Sequence, residues 1–131
     1  MKRIGIIGTR RRDTPAIQRL IEEELWKIYE EGDWIVTGGC PKGGDRFAEA
    51  IAKANGIPIL TFYPNYKRYK QGAPIVRNGP VAENSDTVIA CVVNPEDSIH
   101  EILQRKKGGT EDALRKFVAH KEHNINRIII V

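Results

Sequence analysis

No apolar run in this 131-residue chain approaches the ~20 residues needed to span a bilayer, which argues against a transmembrane helix. Met1-Lys2-Arg3 leads directly into a strand-like segment rather than the apolar centre of a signal peptide, so the expected location is the cytoplasm, with no membrane partner. Cysteine is scarce. Cys40 and Cys91 stand 51 positions apart with no Cys-x-x-Cys pair, which suits reduced thiols rather than a disulfide scaffold or a zinc site. The 12 glycines and 7 prolines form no tract or repeat, and charged residues reach 29%, so collagen-like, coiled-coil and wholly disordered readings fail on composition. What remains is enough apolar material, 40% of residues, for one core and a single domain over residues 1–131. The net charge of +4 is compatible with an anionic ligand but does not by itself identify one.

The apolar segments alternate between two periodicities. Arg3–Gly8 is a near-continuous apolar run, as in a strand buried on both faces of a parallel sheet. Thr14-Pro15 reads as an N-cap and first helical residue, and Ile17, Leu20, Ile21, Leu25 and Ile28 recur at helical spacing toward an end near Glu31-Gly32. Trp34–Thr37 predicts a second strand and Asp45–Asn55 a second helix closed by Gly56. Ile57–Phe62 predicts a third strand, which Pro58 places at an edge of the sheet or itself near the strand's start. A polar loop follows over residues 63–73, then a helix around Pro74–Asn84 that Pro80 should kink or shorten. Thr87–Val93 is read as a strand, the stretch with Pro95 as a linker, Thr110–His120 as a helix and Arg127–Val131 as the last strand. This alternation predicts an α/β fold: one Rossmann-like three-layer domain with a mainly parallel sheet of about five strands.

In such sheets ligands bind beyond the carboxyl ends of the strands, where helix N-termini offer free amides and partial positive charge. Three glycine-bearing loops fall there: Gly8-Thr9-Arg10, then Gly38-Gly39 through Lys42-Gly43-Gly44-Asp45, then Gly108-Gly109-Thr110-Glu111. Residues without side chains let backbone amides approach phosphate oxygens, and turns with φ > 0 expose consecutive N–H groups. The second loop matches neither Gly-x-x-x-x-Gly-Lys-Ser/Thr nor Gly-x-Gly-x-x-Gly, which weakens ATPase and dehydrogenase readings. Asp45 is expected either to cap the second helix through its free amides or to accept from a ribose hydroxyl.

The order Gly8-Thr9-Arg10, Val36-Thr37-Gly38-Gly39, Gly43-Gly44-Asp45 with Ala48, Tyr63-Pro64, Arg77-Asn78, Asp86 and Gly108-Gly109-Thr110 resembles the SLOG superfamily. That group includes the DprA/Smf DNA-processing proteins, the LOG phosphoribohydrolases and small YpsA/YspA-like proteins. The resemblance implies a nucleotide or nucleotide-derived ligand with its phosphate near the glycine loops, no resident cofactor, and a homodimer or higher oligomer. It places Gly8, Thr9, Gly38, Gly39, Gly43, Gly44, Arg77, Asn78, Gly109 and Thr110 around the pocket, with Arg77 as a planar fork for phosphate and Asn78 as a mixed donor and acceptor.

LOG-type enzymes carry Pro-Gly-Gly-x-Gly-Thr-x-x-Glu with a catalytic glutamate. Here Gly109-Thr110 aligns with Gly-Thr and leaves Ala113 at the glutamate's place. Glu111 and Asp112 come one or two residues early, a displacement of about 100° per residue around a helix. Acidic residues in a first helical turn also have an ordinary role, pairing with the helix dipole. Binding without turnover is therefore the leading expectation, with no catalytic residue assigned and phosphoribohydrolysis as the alternative.

A second alternative is single-stranded DNA binding, suggested by Tyr63, Tyr66 and Tyr69 interleaved with Lys67, Arg68 and Lys70. Arg11 and Arg12 are expected to face solvent. His120 and His123 share a chelating spacing but have no third ligand, so they are read as partners of a helix C-terminus, and no metal is expected. His100 falls in the predicted linker. Cys40 sits in a glycine loop with no neighbouring base to make it a nucleophile.

Overall fold

A computed structural model describes residues 1–121 and 124–131. Strands β1 (Arg3–Gly8), β2 (Trp34–Thr37), β3 (Ile59–Thr61), β4 (Thr87–Cys91) and β5 (Ile128–Ile130) form one sheet in the order β3-β2-β1-β4-β5. Every pairing in it is parallel. The helices are α1 (Pro15–Ile28), α2 (Gly44–Asn55), α3 (Tyr66–Tyr69), α4 (Ala73–Glu83), α5 (Ile99–Gln104) and α6 (Gly109–His120).

Alternation along the strands separates two cores. Ile4, Ile6, Ile35 and Ile89 pack with Ile21 and Leu25 of α1 and with Phe47 and Ile51 of α2. On the opposite face, Ile7, Val36, Val88 and Ala90 pack with Val81 of α4, Ile102 of α5, and Leu114 and Phe117 of α6. Apolar residues thus line both surfaces of the sheet, the requirement that made the strands continuous apolar runs. The three-layer expectation holds.

The chain leaves β1 in one direction, through β2 to β3, and crosses back to place β4 on the other flank of β1. The strand order therefore reverses between β1 and β4. A crevice opens at the carboxyl ends of strands at such a reversal.

Several boundaries differ from expectation. Helix α1 stops at Ile28, three residues early, where the Tyr29 N–H bonds Leu25 O and Gly32 turns the chain at φ +96°. Strand β3 occupies the predicted edge but is shorter than Ile57–Phe62, because Ile57 N–H still bonds the α2 carbonyl of Ala52. Pro58, which has no N–H to give, accepts from Ile35 N–H instead. Helix α4, Ala73–Glu83, keeps the predicted bounds to within a residue and runs through Pro80 without being shortened by it. Strand β4 stops at Cys91, and Arg127 belongs to a 3-10 turn before β5.

The segment read as a linker contains α5, so His100 is helical and exposed rather than in a loop. The polar loop after β3 holds the single-turn α3, capped by the Asn65 carboxamide. His120 ends α6 as expected of a dipole partner, whereas His123 lies outside the described residues. None of the described helices is long and apolar enough to cross a membrane.

Candidate functional site

The first glycine loop continues the sheet by one residue, with Thr9 N–H bonding Cys91 O at 2.9 Å before the chain departs. Arg10 and Arg11 are exposed beyond it. Arg12 does not face solvent as expected: its Nη1 donates to the carbonyls of Val92 and Val131, at 2.9 and 2.6 Å, and ties together the ends of β4 and β5. Asp13 then reaches the second loop, where Oδ1 accepts from Gly43 N–H at 2.9 Å and from Arg46. The Arg46 guanidinium, together with the Gly43 N–H, holds the Asp13 carboxyl below its ordinary pKa.

Gly43 and Gly44 serve this junction. Gly43 adopts φ +73°, and a Cβ on Gly44 would stand 2.5 Å from Gly8 N and from the Ile7 carbonyl carbon. Helix α2 therefore begins in direct backbone contact with the end of β1. Gly43, Gly44, Gly39 and Lys42 do not line the crevice; Gly39 packs against the Tyr63 ring, and Lys42 is exposed.

Asp45, in the first turn of α2, is buried and caps no helical amide. Its Oδ1 is 3.0 Å from the Thr37 hydroxyl, and Oδ2 accepts from Cys40 N–H at 3.0 Å and from Arg77 Nη1 at 3.3 Å. The carboxylate folds the preceding loop back on itself. Arg77 Nη1 also donates to Gly38 O, and its Nε donates to Pro74 O at 3.2 Å, so much of this fork already has protein partners. Asn78 donates from Nδ2 to Gly109 O at 3.0 Å and to Asp112 Oδ2 at 2.9 Å, fixing the first turn of α6 against α4.

The three loops meet at a single crevice of about 490 Å³ beyond β1 and β4. Of the expected residues, it is lined by Gly8, Thr9, Arg10, Gly38, Asp45, Arg77, Asn78, Gly108, Gly109, Thr110 and Glu111. Sequence reasoning missed Arg11, Arg105 and Lys107 in its wall, together with Cys40, Gln71, Pro74 and Ile75. A signal for the α5 part existed: Ser98-Ile99-His100-Glu101 is a capping box, which announces the helix that delivers Arg105. The Ser98 N–H, which donates to Glu101 Oε1 at 3.0 Å, and after it the Ser98 hydroxyl hold the Glu101 carboxyl below its ordinary pKa.

Glu111 and Asp112 take different directions from the first turn of α6. Asp112 pairs with Lys116 at 3.0 Å on the outside. Glu111 turns inward and is 2% exposed, so it is no solvated partner of the helix dipole. Its Oε2 stands 3.8 Å from Arg105 Nε. Ala113 is buried against Leu114 and Phe117. None of Tyr63, Tyr66 and Tyr69 lines the crevice; all three are exposed, and Arg68 lies over the Tyr69 ring at 5.1 Å. No group of three metal-ligating side chains occurs among the described residues.

Residues 9–69 match the model of a family described as YAcAr, the YspA, cpYpsA-related SLOG family. The matched span contains the Gly38–Asp45 loop and the whole of α2, and stops before Arg77 and α6. No curated protein and no solved structure matches the chain.

Proposed function

From membership of the SLOG superfamily, which the match over residues 9–69 supports, we propose that this protein binds a nucleotide or nucleotide-derived phosphate ligand in the crevice beyond β1 and β4. One observation carries the reading. Arg10, Arg11, Arg105 and Lys107 stand around an opening into which α6 directs its first turn, and Gly108, at φ +116°, and Gly109 leave its amides free of side chains. Cations and a helix N-terminus at one mouth favour a compact anion. Arg77 acts there as a wall whose charge is shared with Asp45, rather than as the free fork the sequence suggested.

Binding without turnover fits better than hydrolysis. Ala113 occupies the place of the catalytic glutamate in the LOG pattern and brings no carboxylate to the crevice wall that it lines, and Asp112 is committed to Lys116 and Asn78. The tyrosines that suggested single-stranded DNA lie away from the crevice.

A thermal-shift and calorimetric series with pyrophosphate and with nucleoside mono- and diphosphates tests the proposal. A ligand present at a hundredfold excess over its Kd should stabilise the fold by ~2.7 kcal/mol. Replacing Arg10 and Lys107 together by Ala should weaken binding by roughly tenfold or more, since each removes a charge-assisted contact. If none of these anions raises Tm, the crevice is not a phosphate site.

A further inference from the structure

Arg10, Arg11 and Arg12 are consecutive in the chain and take different directions. Arg10 and Arg11 are exposed and line the crevice, and neither enters an ion pair among the described residues. Arg12 is half-buried and forms no part of the crevice wall. A single nitrogen, Nη1, donates to Val92 O at 2.9 Å and to Val131 O at 2.6 Å. Val131 O also accepts from Val92 N–H at 3.3 Å, so the guanidinium closes the ladder between β4 and the residue after β5.

The segment that carries these cations is held at three points. Thr9 N–H bonds Cys91 O at 2.9 Å, Arg12 grips the two strand ends, and Asp13 Oδ1 accepts from Gly43 N–H at 2.9 Å and from Arg46 Nη2 at 2.8 Å. Within it, Arg11 N–H bonds Thr9 Oγ1 at 3.3 Å and Arg12 N–H bonds Thr9 O at 3.4 Å. The backbone of Arg10 and Arg11 is thus fixed to the sheet on one side and to the start of α2 on the other, while their side chains are left to the crevice. Two neighbouring cations with no acidic partner repel each other, and long side chains resist ordering. A connection that only joined β1 to α1 would be more stable without them. An anion shared between the two relieves the repulsion, and a backbone already held in place spares the ligand the cost of ordering it.

We propose that Arg12, with Asp13, is a positioning residue for anion binding: it touches no ligand and acts by aiming Arg10 and Arg11 into the crevice. This role rests on the phosphate-binding reading above and adds to it which residues outside the crevice set its affinity.

The test is a pair of mutant cycles read as the pyrophosphate Kd by calorimetry. Arg12→Met keeps an unbranched apolar stem and removes both donated bonds, and should weaken binding about tenfold in the otherwise wild-type chain. In a Lys107→Ala background, which lacks a cation from the loop before α6, the same loss of about tenfold should recur, because independent effects multiply. In an Arg10→Ala background the loss should shrink to about threefold, because one of the two side chains that Arg12 aims is already gone. An equal factor in all three backgrounds, as expected if Arg12 contributes only charge or general stability, overturns the inference, and so does the absence of any loss. Tm without ligand shows which variants fold; should Arg12→Met not fold, Asp13→Ala takes its place in the cycles with the same expected pattern. Wild-type binding with an equal factor removes only the role of Arg12 and Asp13, whereas failure of the wild-type chain to bind pyrophosphate removes the phosphate site and this inference with it.

Discussion

Asp45 shows how far a single residue's role depends on what surrounds it. From its place after a glycine pair, a helix cap is the first expectation and a ribose contact the second; in the fold it instead bonds Cys40 N–H and Arg77. Arg77 comes from a helix more than thirty residues later, and no local pattern announces that meeting. Gly44 has a similar history. Its glycine character is visible in sequence as a phosphate loop, yet the physical demand is contact with the backbone of Ile7 and Gly8. Gly44→Ala should therefore destabilise the fold by about 1–3 kcal/mol, the range for overpacking a tight site, with a lower urea midpoint and an unchanged m-value. Stability equal to wild type would mean that α2 and β1 can separate without penalty. Glu111 and Gly108 were legible as loop residues near a helix start, but the burial of the carboxylate was not, since Glu is ordinarily a surface residue.

At the scale of elements, the strongest periodicities were read well. Helix α1 combines a Thr14 cap, a proline in its first turn and a buried stripe at Ile21 and Leu25, and helix α2 closes on Gly56 in the left-handed conformation. Short elements were read poorly. Helix α5 has only six residues, too few to show a period, and its signal is confined to the reciprocal Ser98 and Glu101 cap. That cap holds the segment leading to Arg105, so Ser98→Ala should cost about 1 kcal/mol of stability. Hydrogen exchange of the α5 amides should rise more than that of α2; equal change in both would show that the cap acts on the whole fold rather than on α5. Helix α4 surviving Pro80 reflects tertiary support: Val81 and Ala82 are buried against the sheet, and Asn78 bonds the start of α6. Packing of this kind outweighs a local preference for breaking the helix.

For the molecule as a whole, the ionisable groups define a pH window. Burial pushes the Asp33 carboxyl up, but the Lys2 ammonium at 2.5 Å and the N–H groups of Lys2 and Glu30 reverse this and hold it below its ordinary value. Asp13 and Glu101 are lowered as well. A carboxyl with a lowered pKa in the folded state stabilises above its unfolded value, and that stabilisation is lost as pH falls through the folded one. Burial pushes the Cys91 thiol up, against a smaller opposing effect of Arg12, so stability should also decline once pH rises above the ordinary thiol value. Unfolding free energy should therefore be level near neutrality, fall below roughly pH 4, and fall again above about pH 9. Asp33→Asn should flatten the acid limb, and an unchanged slope would remove Asp33 from its cause. The sequence alone determined the alternation of strands and helices, the parallel sheet with an edge β3, and the placing of glycine loops at strand ends, because hydrophobic period, caps and turns are local properties of a chain. Only the tertiary structure decided which loops form a crevice and which merely seat one backbone on another, that Arg77 is partly neutralised by Asp45, and that Glu111 is buried with an acceptor to spare. Those outcomes depend on distances between segments far apart in the chain, and such distances are set by how the layers pack.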